Sequence, residues 1–112
     1  MNNSKLSDID LFFVRLKHGW VSTEKKEILY NLVISLESPT SLQKERFILA
    51  YNLNSNNASK YNLSKIAREQ KCSPNAIKYS VSRIRNFLVN LKDERKDIFL
   101  NLIKDNDYFN NK

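Results

Sequence analysis

Residues 62–88 read NLSKIAREQKCSPNAIKYSVSRIRNFL, and this stretch decides the fold. Asn62 is a good helix N-cap, and Leu63 to about Gln70 can form a short helix. Lys71 and Cys72 form a turn. Ser73 then caps a second helix, with Pro74 at its first position, where a missing N–H costs nothing. Ile77, Val81, Ile84, Leu88 and Leu91 fall at steps of four, three, four and three, so they form one buried stripe. The small Ala67 sits where the two helices must approach closely, and Cys72 takes the apolar position in the turn. The expectation is a helix-turn-helix spanning 62–91.

Working outward, the same capping logic predicts further helices on both sides. Ser7 caps a helix to about Lys17 that stops near Gly19, with Ile9, Leu11, Phe12 and Val14 as apolar positions. Ser22 or Thr23 opens a second helix, in which Ile28, Leu29, Leu32, Val33 and Leu36 recur at helical spacing until Pro39. Thr40 or Ser41 opens a third, with Leu42, Phe47, Ile48, Ala50, Tyr51 and Leu53 on its buried face. A polar loop follows at 54–59. After the helix-turn-helix, about Lys92 to Asp105 reads as another helix burying Ile98, Phe99, Leu102 and Ile103.

The predicted fold is all-α, with five to six short helices and no wing, in a single domain over 1–112. An N-terminal helical hairpin occupies 1–38 and a C-terminal helix 92–106. One Gly and two Pro in 112 residues leave little turn chemistry for an all-β chain.

Charge is concentrated in one place. The chain carries +7 overall, with a pI near 9.6. Residues 60–92 hold Lys60, Lys65, Arg68, Lys71, Lys78, Arg83, Arg85 and Lys92 against Glu69 alone, which equals the whole excess. The rest of the chain is nearly balanced. A basic segment coincident with a helix-turn-helix is the electrostatic footprint expected for DNA.

At about 100° per residue, the side of the second helix opposite the apolar stripe holds Asn75, Tyr79, Ser82 and Asn86, flanked by Lys78 and Arg83. These side chains match base edges: Asn pairs bidentately with adenine and Arg with guanine. Lys60, Lys65, Arg68 and Ser73 lie where phosphate contacts are usual, and Arg85, nearer the core edge, is expected on a phosphate too.

Other chemistry finds little support. His18 is the only histidine and has no Cys or His at ligand spacing, so no metal site is expected. No Gly-rich loop cradles a phosphate, and no carboxylate pair suggests acid–base work, so neither an enzyme nor a cofactor is expected. Cys72, the only cysteine, cannot form an internal disulfide and reads as a small apolar residue. The apolar runs are too short to span a membrane, and the start shows no signal peptide, so a cytoplasmic setting is expected. Trp20 reads as a core anchor or an interface marker.

The run Leu42-Gln43-Lys44-Glu45-Arg46-Phe47-Ile48-Leu49, then Leu63-Ser64-Lys65-Ile66-Ala67 and Cys72-Ser73 up to Arg83 and Leu88, resembles region 4 of the sigma-70 family of transcription factors. The likeness covers residues 40–91. It implies a recognition helix reading a promoter element, and other surfaces meeting RNA polymerase and activators. The chain departs from the family in lacking room for the other sigma domains and in carrying Lys71 where Gly is common. A stand-alone, region-4-like transcription regulator, of the kind carried by phages and mobile elements, is the expectation. The alternatives are a DNA-binding accessory factor for packaging, transfer or partition, and a helical adaptor for an acidic protein. Double-stranded DNA is the expected partner, with RNA polymerase and a second copy as further ones. Phe12, Phe13 and Trp20, or Phe99 and Ile103, would supply the homodimer surface unless they are core.

Overall fold

The computed structural model describes residues 7–54 and 61–104. They form six helices: α1 (Asp8–Lys17), α2 (Thr23–Ser35), α3 (Ser41–Tyr51), α4 (Leu63–Gln70), α5 (Pro74–Val89) and α6 (Glu94–Lys104). No strand occurs among the described residues, and 94–104 is helix. The fold is all-α, and no described helix is long and apolar enough to cross a membrane.

Short side chains start the helices. Ser7, Ser22, Thr40, Asn62 and Ser73 each accept a hydrogen bond from the backbone N–H three residues on, at 3.0–3.2 Å. Thr40 and Gln43 exchange bonds as a full capping box. Three helices end alike. The N–H of Trp20, Leu53 and Cys72 reaches the carbonyl of Arg15, Ile48 and Ala67, and the preceding N–H closes a shorter loop. Each motif needs a left-handed residue, supplied by Gly19 (φ +77°), Asn52 (φ +55°) and Lys71 (φ +56°). The second helix stops at Ser35, four residues before Pro39, because Leu36 turns extended.

The helices pack in two groups. The broadest interhelical contact is α3 on α5, followed by α4 on α5; α6 lies across α2 and α1. The first two helices, expected as a hairpin, make little contact with each other and are instead joined through α6. Ile77, Val81, Ile84, Leu88 and Leu91 are all buried, as the stripe requires. A run of rings links the groups: Phe12, Phe13, Phe47, Tyr51 and Tyr61 follow one another with centroids 4.9–6.3 Å apart. Burial pushes the ionisation of the Tyr51 and Tyr61 hydroxyls upward.

Several apolar residues expected inside lie at the surface. Val14, Ile28, Leu42 and Ile98 are each more than a third exposed; beside three of them Phe13, Leu29 and Phe99 are the residues that face the core. Trp20 is not a core anchor. It is 61% exposed and stacks on His18 at 4.7 Å, turned outward by Gly19. Of the residues proposed as dimer surface, Phe12, Phe13, Phe99 and Ile103 are core and only Trp20 is exposed.

Candidate nucleic-acid interface

The geometry begins with the turn between α4 and α5. Lys71 leaves α4 in the left-handed region, and the N–H of Cys72 returns to the carbonyl of Ala67 at 3.0 Å. Ser73 is extended and caps α5 through the N–H of Ala76. Its oxygen is engaged as an acceptor, which leaves its O–H as a donor. Ile66 and Ala67 of α4 and Ile77 and Val81 of α5 are buried, so both helices face inward on their apolar sides.

The outward side of α5 carries the residues that the wheel selects. Asn75, Lys78, Tyr79, Ser82 and Asn86 are all exposed, Tyr79 to 60%. Arg83 is half-buried, and its guanidinium lies 5.3 Å from the centre of the Phe87 ring. On α4 and the turn, Lys65, Arg68 and Lys71 are exposed. Cationic side chains thus border a row of neutral hydrogen-bonding ones. Lys60 lies outside the described residues.

One expected contact is redirected. Arg85 forms an ion pair with Asp10 of α1, and its guanidinium stands 4.7 Å from the centre of the Phe13 ring. The core-edge position that suggested a phosphate instead brings Arg85 against α1. Both partners of that pair are 75 residues apart in sequence, so no local pattern reports it.

Sequence reasoning also gave Arg46 no role of its own. Its Nε donates to Gln70 Oε1 at 2.8 Å, one Nη to Ser80 Oγ at 3.1 Å and the other to Cys72 Sγ at 3.7 Å. Ser80 is buried, and its hydroxyl donates a hydrogen bond to the Ala76 carbonyl at 3.2 Å. One signal was available: Arg46 lies one helical turn before the buried Ala50. A charged residue on an apolar stripe requires partners.

Compared with family models, curated proteins and solved structures, the chain matches none.

Proposed function

We propose that the chain binds double-stranded DNA by placing α5 in the major groove, as a stand-alone transcription regulator resembling sigma region 4. The observation that carries this reading is the outward face of α5. Five hydrogen-bonding side chains stand exposed in one row, beside the exposed Lys65, Arg68 and Lys71, within the segment that holds the entire charge excess. Asn75, Lys78, Tyr79, Ser82, Arg83 and Asn86 read base edges in this scheme. Lys65, Arg68 and the Ser73 hydroxyl hold phosphates, with Lys60 as a further cation. Arg85 leaves the phosphate set because Asp10 engages it. RNA polymerase and a second copy of the chain are the protein partners that go with this function, and the cytoplasm is its setting.

The test is selection of bound sequences from random duplexes at stated salt, followed by titration of the enriched and random duplexes. A short enriched motif is expected. About three cationic phosphate contacts should each add about 0.9 to the log–log salt slope. Absence of enrichment together with salt-insensitive binding would overturn the reading. Capture of RNA polymerase by the intact chain tests the transcriptional part separately.

A further inference from the structure

We propose that Arg46 is the positioning residue that sets the angle of α5 against α4, and through it the discrimination between DNA sequences. This rests on the reading of α5 as the recognition helix. The side chain reaches three consecutive parts of the unit: Gln70 ends α4, Cys72 lies in the turn and Ser80 lies in α5. Its backbone belongs to α3, the helix on which α5 packs most broadly. The three acceptors are therefore tied to a common support rather than only to each other.

Arginine suits this task. The guanidinium is a planar fork whose donors point in fixed directions, so three acceptors around it are held at fixed mutual positions. Lysine offers a single ammonium on a flexible stem and cannot reproduce that fork. Apolar packing alone leaves freedom of a different kind. Ile77, Val81 and Ile84 resist separation of α5 from the core, but side chains in a stripe tolerate small rotations about the helix axis. Directional bonds at Ser80 and Gln70 resist those rotations. A base-reading side chain must meet its base edge to within a fraction of an ångström, whereas phosphate contacts are forgiving.

Arg46 is therefore expected to govern specificity and not electrostatic affinity. Arg46→Met, which keeps the stem, and Arg46→Lys, which keeps the charge, separate the two. Both should lower the ratio of enriched-duplex to random-duplex affinity by about tenfold, the loss of one base-edge contact. Random-duplex affinity and the salt slope should stay at the parent's values. Ser80→Ala should lower the ratio by less, because Gln70 and Cys72 remain.

Two readouts keep the inference separable from the DNA assignment. Residual dipolar couplings on the DNA-free chain report the α4–α5 angle directly. The expectation is a changed or broadened angle in Arg46→Met and Arg46→Lys, with a cooperative melt retained. An unchanged angle with an unchanged ratio overturns the proposal. A salt slope reduced by about 0.9 in Arg46→Met but not Arg46→Lys also overturns it, since Arg46 would then be a phosphate contact. If Arg46→Met does not fold, Ser80→Ala and Gln70→Ala carry the same test, and unaltered angles in both refute it. A parent chain without sequence preference defeats the DNA reading, while the couplings still decide whether Arg46 orients α5.

Discussion

Two of the arginines that join helices differ in what they hold. Arg46 is half-buried and ties α3 to α4, the turn and α5. Arg95 is likewise half-buried and ties the start of α6 to the end of α2, through the Ser35 carbonyl at 2.9 Å and its hydroxyl at 3.1 Å. Asp93 accepts from the same guanidinium, which holds its carboxyl below the usual carboxylate range. The first clamp sits in the basic part, whose outer face is polar. The second sits where Ile28 and Ile98 are exposed and the charges nearly balance. The acceptors of Arg95, Ser35 and Asp93, are exposed and compete with water, whereas Ser80 at Arg46 is buried. The better-shielded clamp thus lies at the α3–α5 contact, while one core runs through all six helices.

The sharpest test of that contrast is truncation. Ile77→Ala or Ile84→Ala should cost about 2–5 kcal/mol in thermal or denaturant melts, since both side chains are fully buried. Ile28→Ala or Ile98→Ala should cost less than about 1 kcal/mol. Equal costs would mean that Ile28 and Ile98 are packed as tightly as the stripe on α5.

That difference also explains how much could be read in advance. The caps at Ser7, Ser22, Thr40, Asn62 and Ser73 and the stripe from Ile77 to Leu91 are local, and local chemistry predicted all six helices. The outward row on α5 followed from the stripe, because burying one side of a helix exposes the other. The helices carry more apolar residues than the core takes in, Val14, Ile28, Leu42 and Ile98 among them. Helical spacing could not say whether Phe13 or Val14, Leu29 or Ile28, Phe99 or Ile98 would face inward. Arg85 and Asp10 meet only because α1 reaches α5 in three dimensions, and the role of Arg46 depends on three acceptors 24 to 34 residues away.

Within the basic part, α5 and α4 should respond differently. Asn75→Ala should cost about 1–3 kcal/mol on the enriched duplex and relax preference at one base position. Lys65→Ala or Arg68→Ala should weaken binding to every duplex alike and lower the salt slope by about 0.9 each. Parallel titrations of enriched and random duplexes measure both. If the Asn75 variant binds both duplexes as the parent does, the face of α5 is not the reader.

Arg85 tests the border between the two parts. Removing it as Arg85→Ala should leave the salt slope unchanged and cost about 1 kcal/mol of stability, from the lost ion pair and the lost contact with Phe13. A slope lowered by about 0.9 would return Arg85 to the phosphate set.

The smallest effect belongs to the turn. Lys71 holds a left-handed conformation that costs an L residue about 1–2 kcal/mol, while glycine pays about 0.5–1 kcal/mol in chain entropy. Lys71→Gly should therefore stabilise the chain by about 0.5 kcal/mol in a melt, and a destabilised variant would show that the lysine side chain supports the turn.

The way α6 lies over α1 and α2 sets an order of events at the ribosome. Synthesis proceeds at about 5–20 residues per second, so Arg85 emerges about 4–15 s after Asp10. Phe13 finds Phe47 and Tyr51 earlier, when α3 appears. The apolar sides of α1 and α2 gain the last of their cover when the helix containing Phe99 and Leu102 arrives. A nascent chain arrested before residue 94 therefore displays those faces to other chains, and its last helix acts as the seal on its first two.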